Sequence, residues 1–263
     1  SGLTTDTVID DTEINDEVIS NDSVKIDAKI DRGQETRNGL IVDASSTRDL
    51  KSFLVTAGVA GEGAGVSGTV NVNQIDGETD AGIVNAAING SVADGSTGNV
   101  YVNAGDYSNS SGFVGSAAVG GIGAGVGLGS DTNTVSRDVT ATVQDSDIKA
   151  DSFELEADAK QGISSLTIGV AAAGIGGGVS NATSVTLLDG KTTASVKNAN
   201  ITASNADILA THTSKLNTMG AVLGAAGVGA GVGVGVSVLN ENSETTADVT
   251  DATISLADDA GDV

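Results

Sequence analysis

Few residues in this chain could do chemistry, and their spacing works against it. His212, within "ATHTSK", is the only histidine, and there is no cysteine. A base and its orienting partner cannot be assembled around one imidazole with no thiolate, nor can a zinc site of several nitrogen or sulfur ligands. His212 therefore reads as a solvated strand residue. The acidic groups "DSD" at 145–147, Asp10-Asp11 and Asp258-Asp259 could attract calcium, which takes oxygen ligands. Calcium-binding glycine repeats, however, carry aspartate inside the glycine pattern itself. The glycine motifs here lack it, so these acids read as solvated turn residues. The many G-x-G-x-x-G-like strings do not sit between a strand and an amphipathic helix, as a dinucleotide site requires. A polysaccharide-cleaving cleft needs basic residues and aromatic platforms, against four arginines and 2% aromatics here. Threonines do not recur as the ladder an ice-binding face would need. The chain reads as non-enzymatic: no residue is assigned as catalytic, cofactor-binding or metal-ligating, and no cofactor is expected.

The elements that would position any site are set by glycine and valine. "GAAGVGAGVGVGVSVL" at 224–239 lies in an uncharged run from Leu216 to Asn240, long enough to suggest a membrane-spanning helix. Its parity says otherwise. Val228, Ala230, Val232, Val234, Val236 and Val238 hold even positions, and glycine holds 227, 229, 231, 233 and 235. Period two is the signature of a strand. As a helix the run would carry seven glycines between Gly220 and Gly235, at about 1 kcal/mol each relative to alanine. The run is expected to be β-strand in a soluble protein, with Val232, Val234 and Val236 inward.

Composition points the same way. The chain of 263 residues has no proline, no tryptophan, two tyrosines and three phenylalanines. A core made of Ala, Val, Ile and Leu suits a narrow section repeated many times. Proline would remove a ladder donor, so its absence fits a chain that is nearly all sheet. The net charge of −23 argues against nucleic acid and anionic membranes, which attract clustered Lys and Arg. Acid spread over a solvated surface keeps such a sheet soluble.

The run at 224 has three relatives: "GVAGEGAGV" at 58–66, "AVGGIGAGV" at 118–126 and "AAAGIGGGV" at 171–179. They align on Gly61, Gly121, Gly174 and Gly227, spaced by 60, 53 and 53 residues. Ala44, Ala104, Ala157 and Ala210 each precede their glycine by 17 residues. Downstream, A-x-[VI]-x4-I recurs at Ala81/Ile83/Ile88, Ala141/Val143/Ile148, Ala194/Val196/Ile201 and Ala247/Val249/Ile254. A partial copy is assigned with Ile19 and Val24 in the places of Val143 and Ile148. The repeats run approximately 1–60, 61–120, 121–173, 174–226 and 227–263 within a single segment, 1–263. Both ends fall in mid-pattern, so the chain reads as an excised fragment of a longer repeat protein.

In the third copy the sequence predicts strands at 139–143, 148–150, 153–159, 163–170 and from 174, with turns at "QDSD", "KQG" and "LLDG". Short strands with small inward side chains suit a stacked solenoid. Two coils per repeat are expected, since 53 divides naturally into about 21 and 32. Stacked glycines would form a flat face without Cβ atoms that another sheet or chain could approach, with the valines in the core. Glu62, at the place of Ile122, Ile175 and Val228, would be costly if buried and unpaired. Local exposure or a partner is expected there.

"GVAGEGAGV", "GIGAGVGLGS" and "GVGAGVGVGVSV", each followed by A-x-[VI]-x4-I, resemble the repeats of very large bacterial exoproteins, the filamentous-haemagglutinin-like and leukotoxin-like β-helix proteins. The resemblance runs from about residue 17 onward. It implies an all-β fold, a right-handed parallel β-helix of ~53-residue glycine-rich repeats, at the cell surface or secreted by an autotransporter or two-partner route. The expected function is a structural and adhesive stalk segment; the alternative is a leukotoxin-like segment that damages host membranes. Expected partners are host-cell or other bacterial surface molecules, not nucleic acid. Self-association through the flat glycine face is a further expectation, and a membrane is a partner only in the alternative. Extra residues fall at one repeat position, within 25–38 and 89–99. Insertions at one position of a solenoid project on one face, and the first contains Lys25, Lys29, Arg32 and Arg37. Both are expected to leave at the same corner.

Overall fold

Extended backbone is what this composition favours, and the pairing of those strands follows the repeat. The computed structural model describes residues 5–10, 13–14, 24–28, 39–89 and 98–256. The strands are β1 (Thr5–Asp10), β2 (Glu13–Ile14), β3 (Val24–Ala28), β4 (Gly39–Glu62), β5 (Gly65–Val84) and β6 (Ala87–Asn89). They continue as β7 (Asn99–Gln144), β8 (Asp147–Lys149), β9 (Ser152–Lys197), β10 (Asn200–Ala203), β11 (Asn205–Thr250) and β12 (Thr253–Leu256). No helix occurs among the described residues.

All pairing is parallel and falls into two sheets. The long runs β4/β5, β7, β9 and β11 lie side by side, and β2, β6, β8, β10 and β12 form a second, narrow sheet. Ala44 pairs with Ala104, Ala104 with Ala157 and Ala157 with Ala210. Ile88, Ile148, Ile201 and Ile254 are matched in the same way. The offset is thus the whole repeat, 60 and then 53 residues, and each repeat contributes one layer rather than the two expected from dividing 53.

Each 46-residue run would be about 150 Å long if straight. It doubles back instead. Gly123, Gly176 and Gly229 have φ of +130°, +132° and +133°, a region that L side chains rarely adopt. A Cβ on any of them would also strike the carbonyl of the matching glycine one repeat earlier. Beyond this tip the returning half faces the outbound half, as hydrogen bonds between Thr56 and Thr69, Ser165 and Ser184, and Ser214 and Glu241 record.

The section between the halves tapers. At the wide end the short strands close a core of Val100, Val102, Phe153, Leu155, Val143, Val196, Ile148 and Ile201, which includes the A-x-[VI]-x4-I side chains. Next lies a small cluster of Ile75, Val135, Ile163 and Leu188. A polar layer follows, with Asp131 accepting from Asn71 and Asn133 at 2.7 and 2.8 Å and from Ser165. Nearest the tip, only glycine, alanine and small side chains fit. A Cβ at Gly125, Gly178 or Gly231 would fall on a facing or neighbouring backbone oxygen. Sheets packed through ordinary side chains stand about 10 Å apart; these halves are much closer.

That closeness reverses the expected orientation of the valines. Val232, Val234 and Val236 point outward and are 51%, 50% and 42% exposed, while Gly231, Gly233 and Gly235 face the outbound half. Residues 216–240 are strand, as the parity required. The glycine face is covered by the same repeat's own outbound half.

Three local expectations also change. "KQG" (160–162) and "LLDG" (187–190) lie inside continuous strand, whereas "QDSD" does turn. At that turn Asn85, Asp145, Asn198 and Asp251 all adopt left-handed φ of 45–52°, which Asn and Asp tolerate. Asn198 donates to Asp145 at 2.5 Å, so successive turns are tied together. In the partial copy, Ile9 pairs with Ile83 and Ile14 with Ile88, so these residues, not Ile19 and Val24, hold the places of Val143 and Ile148. The cause is a local five-residue spacing (Ile9, Ile14, Ile19, Val24) that offers several equivalent registers. Val24 pairs with Leu40, and Ile19 lies outside the described residues.

Candidate interaction surface

With one face of each half turned inward, the other face is fixed by parity. On the outbound halves the outward columns run across all four repeats. Nearest the wide end is Phe53, Phe113, Leu166, Met219, and next Val55, Gly115, Ile168, Ala221. Then come Ala57, Ala117, Val170, Leu223, and finally Val59, Val119, Ala172, Ala225. None of these sixteen side chains is polar. Phe53 and Phe113 stack with ring centroids 4.8 Å apart. Exposure reaches 80% at Val59 and 59% at Met219, and the columns end at an exposed tip of Ile122, Ile175 and Val228.

With alternate residues about 6.7 Å apart and strands about 4.8 Å apart, the face covers roughly 500 Å². That is near the upper end of apolar patches on soluble monomers, which are often functional. The outward face of the returning halves is mixed, with Ser130, Thr132, Asn181 and Thr183 among its valines.

Charge is segregated from this fin. No Asp, Glu, Lys or Arg occurs in 107–130, 161–188 or 216–240, and only Glu62 in 52–75. Glu62 stands exposed at the tip, in accord with the expected local exposure. Among the described residues the remaining charges lie toward the wide end, and with them a buried ion pair. Arg137 donates to Asp106 through Nε at 3.1 Å and a terminal nitrogen at 2.9 Å, both side chains fully buried. Thr79 and Ser108 complete the pair at 2.8 and 2.7 Å. Arg48 lies close by, its pKa lowered by burial and then by the charge of Arg137. The pair is enclosed and offers no access to a ligand.

The other candidate residues do not converge. His212 is not a solvated strand residue: it faces inward, half-buried, with Nδ1 3.3 Å from the Thr192 hydroxyl and Nε2 without a partner. Burial lowers its pKa, against the pull of Glu241 and Asp158. Asp145 and Asp147 accept from Asn198 and Asn200 of the next repeat. Asp11, Asp258 and Asp259 lie outside the described residues, as do 29–38 and 90–97 of the two insertions. Residues 25–28 of the first are not loop, contrary to expectation: they belong to β3, which pairs with β4 from Lys25 opposite Ile41 to Ala28 opposite Ala44. Among the described residues no cluster of three His, Cys, Asp or Glu could hold a metal ion, and no helix is long and apolar enough to cross a membrane.

Sequence reasoning missed the apolar face because it assigned the aliphatic side chains to the core. The signal that could have found it was the absence of charge in every copy of the glycine segment, together with no room for valine beside a glycine-lined layer. Comparisons with known protein families, curated proteins and solved structures yield no match for this chain.

Proposed function

We propose that this chain is a non-catalytic stalk segment of a secreted or surface-exposed bacterial exoprotein, built as a right-handed parallel β-helix and serving a structural and adhesive role. The observation that carries the reading is the unbroken register from Ala44 through Ala104 and Ala157 to Ala210. Repeats matched in this way add length at constant cross-section, which is what a spacer needs. The acidic wide end keeps such a rod solvated. Small-angle scattering tests the architecture: deleting one 53-residue unit, 148–200, should thin the particle by about 4.8 Å along the stacking direction and leave its long dimension, set by the folded-back strands, unchanged. A globular profile, or unfolding of the shortened chain, would count against it. Adhesion is tested by binding of the purified chain to host cells, and equal binding by a heat-denatured sample would remove that half of the reading.

The exposed apolar fin favours one second reading, a segment that damages host membranes. Dye release from liposomes distinguishes the two, since a stalk releases none.

A further inference from the structure

The outward face of the outbound halves is uncharged and exposed, and no other described residue covers it. We propose that it docks a second copy of this chain, the two related by a two-fold axis parallel to the direction in which the repeats stack. This inference rests on the geometry of the face and does not depend on the stalk reading.

Area and charge together select this occupant. Two such faces bury about 1,000 Å² in total, the lower limit for a specific interface, so the dimer is weak and concentration-dependent. Each chain carries a net charge of −23, and among the described residues the fin segments hold only one charged side chain, Glu62, at the tip. A two-fold axis along the strands would set the two acidic wide ends against each other. An axis along the stacking direction places each wide end beside the partner's tip and keeps the acids apart. It sets Leu166 of one copy against Ala172 of the other and Met219 against Ala225, while Phe53 and Phe113 meet Val59 and Val119, and Ile168 meets Val170 at the centre. An anionic membrane would meet the acidic wide end as a like charge.

The test is sedimentation equilibrium of the full chain from about 10 to 500 µM. The proposal expects the average mass to climb toward two chains. Val170→Asp, which adds an outward charge, should weaken association at least tenfold, and Thr183→Asp, an equal charge on the other outward face, should leave it unchanged. Because the chain has no cysteine, the axis can be read by cross-linking. A mixture of Leu166→Cys and Ala172→Cys chains should give the heterodimer with a short bis-maleimide linker, which spans facing sheets about 10 Å apart where a direct disulfide does not. Ala172→Cys alone should not link to itself. This pair decides the matter even if Val170→Asp perturbs folding. A monomer at every concentration overturns the proposal. So does equal disruption by Thr183→Asp, or a monomer that sediments with phosphatidylcholine vesicles, which would assign the face to lipid. Self-linking of Ala172→Cys overturns the axis.

Discussion

Placing a single methyl group on Gly178 should open the fin. Its register column is glycine in all four repeats: Gly65, Gly125, Gly178 and Gly231. A Cβ there would fall on the Ala225 carbonyl oxygen, 2.9 Å from that of Ala171 and 3.1 Å from the Ala225 nitrogen. Comfortable contact begins near 3.4 Å, and the obstacles are backbone, so the two halves must separate by about half an ångström or more. Overpacking of this kind costs about 1–3 kcal/mol. The lower entropy of alanine in the unfolded chain offsets about 0.4–1 kcal/mol. The net loss expected for Gly178→Ala is about 1–2 kcal/mol, roughly a tenfold rise in local opening. Gly177 supplies the internal control. A Cβ there meets only the Ala230 oxygen at 3.6 Å, and the other repeats place Ala64, Ala124 and Ala230 at this position. Gly177→Ala should be neutral or stabilising by up to about 1 kcal/mol. Native-state hydrogen exchange of amides in 165–185 compares the two variants directly. Equal protection in both would refute the close approach of the two halves.

Removing one side of the buried ion pair, as in Arg137→Met, strands Asp106 and should cost about 3–5 kcal/mol in chemical denaturation, while the double variant Asp106→Leu/Arg137→Met recovers most of it. Val232→Asp places its charge in solvent, so it should cost about 1 kcal/mol or less in the same assay. An inward valine would make that change far more damaging. His212 has a folded pKa below its ordinary 6.5, so the unfolded chain binds the proton first. Its contribution is present above 6.5 and is lost as pH falls toward the lowered value, and His212→Leu should flatten that slope in pH-dependent melting. Hydrogen bonds from Asn198 and Gln144 hold the Asp145 carboxyl below its ordinary 3.8. The turn is therefore supported above that pH and loosens as acid protonates the group; Asn198→Ala should reduce this acid sensitivity.

The repeat and its register were legible because they rest on distances that composition does not produce by chance. The alanine at 44, 104, 157 and 210 and the isoleucine at 88, 148, 201 and 254 pair as aligned. What misled was the rule that aliphatic side chains face inward. It presumes a layer thick enough to hold them, and near the tip the facing backbones leave room only for glycine, alanine and serine. Valine then goes outside, and the apolar face appears where a core was expected. "KQG" and "LLDG" failed as turns for a related reason. Gly190 serves close approach to the Arg137 backbone rather than chain reversal, a role that a local motif does not reveal. The Asn/Asp turn did show in "QDSD", since its positive φ selects those residues. The buried Asp106–Arg137 pair, 31 residues apart in sequence, joins facing halves and has no local signature.

The repeat-length parallel register underlies every layer of this fold, and one disulfide tests it most directly. Ser130 and Thr183 pair across neighbouring repeats and both point outward. Adjacent strands are about 4.8 Å apart, within the Cα range of about 4.4–6.8 Å that a disulfide spans. In this cysteine-free chain, Ser130→Cys/Thr183→Cys should oxidise to a single intramolecular disulfide in the folded protein. Free thiols in a folded, oxidised sample would contradict the register, because two coils per repeat would leave a whole layer between these residues.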